Sequence, residues 1–306
     1  MLTVIVPTFN RADGLARAVR RLLAQETVDG GLRLVVVDNN SSDRTRQAVD
    51  AFGGAVDYVF EPRQGLSHAR NAGLARAADS DLVAFTDDDV EVSRNWARTI
   101  VREFGNHPGV DCIGGRVLPS WQEPPPSWLT RDHWGPLALQ DHGDQPREFS
   151  TAQPVCLVGA NVAFRRAIFD RIGEFAPEVQ RVKDGIGSTE DHDLLRRLYA
   201  MGGRARYVPD LLVTAVVPPE RLTFAYHRRW HLGHGRFHAV MRIPEVERSA
   251  RGRLFGVPAH LYRTAASDLA ALIALRLRGD AARAFAAETR LWFFGGFLRE
   301  RCPLLR

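Results

Sequence analysis

Three consecutive carboxylates, Asp87-Asp88-Asp89, follow Thr86 and the apolar run Leu82-Val83-Ala84-Phe85. A run of that length and composition reads as a buried strand, so the acids stand where a strand ends. Adjacent carboxylates repel one another and lose hydration there, and something must compensate them. A divalent cation does so well, because hard oxygen donors suit Mg2+ and Mn2+. Continued strand alternation would face Asp87 and Asp89 to one side and Asp88 to the other. Two like-facing carboxylates can hold one cation, and that cation can hold a diphosphate. The competing reading is an acidic turn without a ligand, since Asp is common where strands end.

A second acidic pair, Glu190-Asp191, follows Gly185-Ile186-Gly187-Ser188, which reads as a mobile loop, and opens a helical pattern through Leu198. Two roles fit these acids. They offset the dipole of the helix they begin, or one is a general base held rigidly at the mouth of a cleft. Between the two acidic sites, Gly159-Ala160-Asn161 interrupts the apolar run of residues 155–164. Glycine inside a strand often marks close approach by a ligand or another backbone. Asn161 would offer amide hydrogen bonds in that gap.

These groups need a scaffold. Residues 2–6, 32–37 and 56–60 read as strands, and residues 12–25 and 67–77 as helices between them. Strand–helix alternation predicts an α/β fold with a mostly parallel sheet and helices on both faces. Ligands collect at the carboxyl ends of the strands in such sheets. Asn10, Asp38 and Asp87 each lie just past one of those ends. No Gly-x-Gly-x-x-Gly follows the first strand, and no phosphate loop ending in Gly-Lys-Ser/Thr is present, so a nucleotide would be held by other means.

The chain of 306 residues is 45% hydrophobic and 25% charged, which suits a folded protein with a substantial core. It opens directly on a strand without signal-peptide features, and no apolar stretch is long enough to span a bilayer. Cys112, Cys156 and Cys302 lack metal-site spacing and read as buried thiols in a reducing compartment, so the cytoplasm is the default location. The net charge of +5 is unevenly distributed: residues 221–306 hold 16 Arg and Lys against 6 Asp and Glu, a net of +10, and the preceding 220 carry −5. We therefore expect a catalytic and ligand-binding domain over residues 1–220 and a helical basic region over 221–306. Residues 119–154, rich in Pro and holding Trp121, Trp128 and Trp134, read as a long loop insert in the first domain. Its aromatics either cover a sheet edge or supply a ring that stacks on a sugar or an acceptor.

In the basic region, His227, His231, His234 and His238 share one helical face, with Arg228, Arg229, Trp230 and Arg236 among them. No cysteine or acid completes a zinc set there, and basic groups meeting a diphosphate or an anionic lipid is the better reading. Residues 257–298 hold two amphipathic stretches ringed by arginines. They suit the interfacial region of a membrane, and equally packing against the rest of the protein or another subunit.

Taken together the motifs resemble the inverting family 2 glycosyltransferases of the GT-A fold, over about residues 1–215. The resemblance rests on Val6-Pro7-Thr8-Phe9-Asn10-Arg11, Val37-Asp38-Asn39-Asn40-Ser41-Ser42-Asp43, Gly65-Leu66-Ser67-His68-Ala69-Arg70-Asn71-Ala72-Gly73, Asp87-Asp88-Asp89, Gly159-Ala160-Asn161 and Glu190-Asp191, in that order. It implies a Rossmann-like GT-A sheet and transfer of a sugar from a nucleotide-sugar donor, UDP being the usual nucleotide. By the same resemblance Pro7, Thr8, Asn10 and Asp38 line the nucleotide pocket, with Arg70, Asp87 and Asp88 near the nucleotide or sugar. Asp89 coordinates a divalent cation, Mn2+ or Mg2+. Gly159, Ala160, Asn161 and Glu190, together with Arg229 and Trp230, approach the donor sugar or the acceptor, and Asp191 is the base that deprotonates an acceptor hydroxyl.

Two departures stand out. Asn39-Asn40 replace the usual Asp-Gly of the second motif, which bears on base selectivity. Processive relatives carry Gln-x-x-Arg-Trp, whereas Tyr226 opens that frame here, before Arg229 and Trp230. Transfer of a single sugar, to a small-molecule or lipid-linked acceptor, is therefore expected, with a membrane surface contacted through residues 257–306 and the enzyme peripheral on the inner face. A nucleotidyltransferase would need a Gly-rich basic loop after the first strand, which Pro7-Thr8-Phe9-Asn10 does not supply. An inactive binding module would not need Asp87, Asp89 and Asp191 together, and no nucleic-acid motif accompanies the basic tail.

Overall fold

The computed structural model describes residues 1–182, 185–247, 252–302 and 304. The chain divides into two compact units. Met1–Ser120, Ala138–Lys183 and Glu190–Val216 form the first; Trp121–Leu137, Asp184–Thr189 and Val217–Arg306 form the second.

The first unit opens with β1 (Leu2–Thr8), α1 (Ala12–Leu23), β2 (Leu32–Asp38), α2 (Thr45–Asp50), β3 (Asp57–Phe60), α3 (Leu66–Arg76) and β4 (Leu82–Thr86). β1 pairs in parallel with β2, from Leu2 opposite Leu32 to Thr8 opposite Asp38, and with β4, from Leu2 opposite Leu82 to Ile5 opposite Phe85. Every residue of β1 and β4 is buried, as expected for parallel strands covered on both faces. The register brings the carboxyl ends of β1, β2 and β4 to one edge.

Beyond β4 the sheet changes character. β5 (Val90–Val92), α4 (Trp96–Asn106), β6 (Cys112–Trp121), β7 (Arg147–Phe149), β8 (Asn161–Arg165), α5 (Phe169–Ile172), α6 (Glu190–Ala200) and β9 (Ala205–Val217) follow. The strand order is β3-β2-β1-β4-β8-β6-β9-β5, with β7 on β9. β8 runs antiparallel to β4, with Thr86 opposite Asn161, and β5 runs antiparallel to β9. The sheet is thus parallel in the half that the strand–helix alternation describes and antiparallel in the half it does not.

The second unit is helical: α7 (Phe224–Met241), α8 (Pro244–Glu247), a hairpin of β10 (Arg253–Leu254) and β11 (Val257–Pro258), α9 (Ala259–Leu277) and α10 (Ala281–Arg301). α7 and α10 meet backbone to backbone. A Cβ on Gly235 would stand 1.9 Å from the Phe293 carbonyl oxygen, and one on Gly296 would stand 1.9 Å from that of Leu232. The Pro- and Trp-rich stretch is divided, Trp121–Leu137 belonging with the helices and the part from Ala138 with the sheet. Trp128 does not cover a sheet edge. It is buried among Phe224 (ring centroids 4.4 Å), Phe285 (4.8 Å) and His227 (5.1 Å), where its ring meets other aromatic faces and edges. The expectation of three buried thiols fails at Cys156, which is exposed on the irregular segment before β8; Cys112 and Cys302 are buried. Among the described residues no helix is long and apolar enough to cross a membrane.

Candidate active site

The site gathers the loops at the carboxyl edge of β1, β2 and β4, with side chains from α3, the turn before β8 and the start of α6. Pro7 and Thr8 end β1 and are buried. Asn10 follows in the left-handed region (φ 52°), which Asn tolerates better than most residues. Its side-chain oxygen accepts from the Ser42 amide (2.7 Å), while its own amide donates to Ser41 Oγ (2.9 Å). Asp38, buried at the end of β2, accepts from the Ser41 amide (2.9 Å) and from Tyr58 Oη (2.8 Å). Burial, reinforced by Asp38, pushes the Tyr58 hydroxyl up to about 12. Asn10 and Asp38 thereby shape the loop of residues 39–43.

Asn39 explains its own departure from the family pattern. Its side-chain NH2 donates to the carbonyls of Glu61 (3.2 Å) and Arg63 (2.7 Å), and its oxygen accepts from the Gly65 amide (2.7 Å). An aspartate carboxylate could accept but not donate. The amide therefore ties the end of β2 to the turn that starts α3.

The carboxylate run does not continue the strand. Asp87 lies outside β4 and Asp88-Asp89 form a turn, so alternation stops and Asp88 and Asp89 share one cation. Arg11 Nη1 donates to Asp89 Oδ2 (2.6 Å) and Asp88 Oδ1 (3.2 Å), and Thr8 Oγ1 donates to Asp88 Oδ2 (2.7 Å). Burial, then the charge of Asp89, pushes the Asp88 carboxyl up to about 7 against the pull of Arg11. Asp88 is interior and Asp89 half-exposed. Among the described residues no three or more His, Cys, Asp and Glu side chains are grouped to enclose a metal ion. A half-exposed carboxylate on a turn still fits Mg2+ or Mn2+, which take one or two carboxylates and leave further positions to substrate phosphates and water.

Asp87 turns the other way, toward Arg70 of α3. Arg70 is 2% exposed and faces three carboxylates: Nη1 donates to Asp191 Oδ1 (2.5 Å) and Glu190 Oε1 (3.3 Å), and Nη2 lies 3.9 Å from Asp87 Oδ1. The second Asp191 oxygen accepts from the Gly159 amide (3.0 Å). A Cβ on Gly159 would stand 2.5 Å from both Arg70 and Asp191, so glycine is required for that approach. Thr86 Oγ1 donates to the Ala160 carbonyl (3.0 Å), fixing the turn beside the end of β4. Burial raises the Asp191 carboxyl above its usual range, opposed by Arg70, while Glu190 raises it further. Burial likewise raises Asp87, opposed by Arg70 and Arg181. Asp191 is half-exposed and Glu190 interior.

The structure thus brings together Arg70, Asp87, Gly159, Glu190 and Asp191, with Thr8, Asp88 and Asp89 in the adjoining turn and Pro7, Asn10 and Asp38 in the loops beside it. Asn161 is different. It is fully buried, accepting from Trp96 Nε1 (2.8 Å) and donating to the carbonyls of Arg116 (2.8 Å) and Leu211 (2.7 Å). All three partners are protein groups, so its amide holds the sheet together. Arg229 and Trp230 lie in the second unit, where Arg229 is exposed and Trp230 stacks on His234 (4.3 Å). The sequence assigns no role to Arg11 or Tyr58, and marks Asn39 only as a departure that bears on base selectivity. The signal for Arg11 was present, a cation directly after Asn10 on the edge that gathers the acids.

The profile of the Glycosyl transferase family 2 matches residues 3–173. The chain is 31% identical over 216 residues to a pre-mycofactocin glycosyltransferase of Mycobacterium tuberculosis, covering 69% of this chain and 42% of that protein. An N-acetylglucosaminyltransferase of Rhizobium sp. is 25% identical over 224 residues, 70% of this chain and 48% of the relative. The chain thus spans less than half the length of these curated relatives. Among solved structures, a mannosyltransferase from Pyrobaculum calidifontis in complex with GDP-Man and Mn2+ superposes with a TM-score of 0.63 at 22% identity, covering 98% of this chain and 86% of that one. TarS of S. aureus, residues 1–349 with UDP, gives 0.56 at 18% identity, covering 98% and 90%. These likenesses establish the GT-A-like fold, and the profile match over more than half of the sequence places the chain in glycosyl transferase family 2.

Proposed function

We propose that the chain transfers a single sugar from a nucleotide-sugar donor to an acceptor hydroxyl, with inversion at the anomeric carbon and Asp191 as the general base. The carrying observation is the setting of Asp191. Each of its oxygens has one fixed partner, Arg70 or the Gly159 amide, and the carboxylate remains half-exposed beside Asp87 at the edge where ligands collect. A carboxylate raised by burial is a better proton acceptor than one in water, and its two hydrogen bonds fix its direction. Its remaining lone pairs accept the proton of the acceptor hydroxyl as that oxygen attacks the anomeric carbon in line. The bond from that carbon to the diphosphate breaks as the new bond forms.

The leaving nucleoside diphosphate gains negative charge. Asp89 would hold the divalent cation there, and when bound the cation neutralises that charge. Asp87, with Asp88 beside it, orients the donor's sugar and ribose, and Arg70 keeps Asp87 and Asp191 at a fixed separation. The loop shaped by Asn10 and Asp38 receives the nucleotide, UDP being the family's usual one. The acceptor is a small molecule or a lipid-linked hydroxyl.

The test is hydrolysis of a panel of nucleotide sugars with and without Mn2+ or Mg2+. Slow release of one nucleoside diphosphate, dependent on the cation and abolished in Asp89→Ala, is the expected result. A chain that neither binds nor hydrolyses any donor under either cation would refute the proposal.

A further inference from the structure

In the second unit α9 is apolar on two faces, and only one of them is covered. Leu261, Leu272 and Leu275 lie on the side turned to α10, where the inner Asp268 accepts from Arg290 Nε (2.7 Å). On the opposite side Ala266, Leu269, Ala270, Ile273 and Leu277 recur at helical spacing, and Leu269, Ile273 and Leu277 are 50%, 55% and 85% exposed. The line extends past the start of α9. Tyr262 Oη donates to the Leu254 carbonyl (3.0 Å), which sets the β10–β11 hairpin beside the first turns of the helix, with Leu254 and Phe255 about half exposed at its tip. A helix that is apolar all round is normally covered on every side. The outer stripe of α9 is open.

The charges beside the stripe indicate what covers it. Acids of these helices are committed to arginines within the unit: Asp268 to Arg290, Glu288 to Arg228 and Arg276, Glu300 to Arg236. Asp280 caps α10 by accepting from the Arg283 amide (3.1 Å). Arg263, Arg278 and Arg299 make no ion pair among the described residues. On the helical wheel Arg263 and Arg276 flank the stripe on either side, and Arg276 shares Glu288 with the indole of the exposed Trp292. An apolar line edged by arginines, with its acids neutralised from within, complements an anionic bilayer surface. Leucine and isoleucine enter the acyl boundary there while arginine heads stay among the phosphates.

We propose that the outer face of α9, continued by the β10–β11 hairpin tip, docks this protein on an anionic membrane surface, lying in the interface without crossing it. The face is local: α10, although more aromatic, buries Phe285 and Phe297 and leaves Trp292 as its exposed ring, beside Arg276.

The experiment is co-sedimentation of the full chain with vesicles of equal phosphatidylglycerol and phosphatidylcholine, against phosphatidylcholine alone, at low and high salt. The wild type should bind the anionic vesicles and release them as salt rises. Leu269→Ser with Ile273→Ser should lower partitioning by about tenfold or more through lost apolar burial. Arg263→Gln with Arg278→Gln should lower it by about tenfold and reduce its salt dependence. Both double variants should keep the wild-type melting temperature, since the substituted side chains are exposed. Equal binding by wild type and the Leu269/Ile273 variant would overturn the proposal, as would equal binding to neutral and anionic vesicles. So would sedimentation equilibrium showing a dimer that the same two serines dissolve, which would make the stripe a contact between copies.

Discussion

Arg70 in the sheet unit and His227 in the helical unit are both buried ionisable side chains, at 2% and 0% exposure, and their surroundings treat them in opposite ways. Arg70 keeps its charge by meeting Asp191, Glu190 and Asp87. His227 has no carboxylate beside it among the described residues and sits against Trp128, Phe285 and His133 (ring centroids 5.1, 6.1 and 6.4 Å). Burial holds its ring neutral by pulling its pKa down to about 4, and the neighbouring His133 adds to that. Charge is retained in the interior where it orients other charges, and given up where the side chain only fills space. The two units should therefore respond differently to charge removal and to acid.

The largest effect is expected at the end of the charged network. Asp191→Asn keeps the shape of the side chain and removes its basicity, so kcat should fall by roughly 10²–10⁴ while donor affinity stays near wild type. Steady-state kinetics against donor concentration checks this, and a change confined to KM would count against the role. Next, Arg70→Met leaves carboxylates without their cation at a buried point, and should cost about 3–5 kcal/mol of stability, read from denaturant unfolding. A loss below about 1 kcal/mol would place this network in the class of exposed ion pairs and erase the contrast with His227.

The smaller effect belongs to the helical unit and has a definite sign. An unfolded chain protonates His227 near the ordinary value of about 6.5, whereas the folded ring resists until about 4. Between those limits the unfolded state binds more protons, so stability rises with pH and falls on acidification, by about 1.4 kcal/mol per pH unit for one such group. Burial pulls His231 down to about 4 as well, so the two act together. His227→Phe should flatten part of the dependence of melting temperature between pH 7 and pH 5. An unchanged slope would show that His227 is solvated in solution.

How much of this was legible in the sequence follows from what each residue depends on. The parallel half of the sheet was readable because its strands are short apolar runs separated by helical patterns, a local signal. The antiparallel half depends on pairings distant in sequence, such as Thr86 with Asn161, and nothing local announces them. The three aspartates were identified, but their facing was not, because the chain turns at Asp88 where alternation was extrapolated. Asn39 stood out as a departure from the family pattern, and only its three partners explain it. Asn161 was read as facing a ligand because it follows Gly159. The glycine does mark a close approach, that of Arg70 and Asp191, while the asparagine two residues further belongs to the core. Trp128 was readable as an aromatic in a loop, and its burial by the helices was not.

The central assignment is Asp191 as base for in-line attack at the edge shared with Asp87 and Asp89, and stereochemistry tests it most directly. Proton NMR would follow the first turnovers of whichever nucleotide sugar the wild-type chain hydrolyses in the presence of Mn2+. The account predicts that the sugar released first carries the anomeric configuration opposite to that of the donor, and that Asp191→Asn slows its appearance. Release with retained configuration, at a rate indifferent to that substitution, would contradict it.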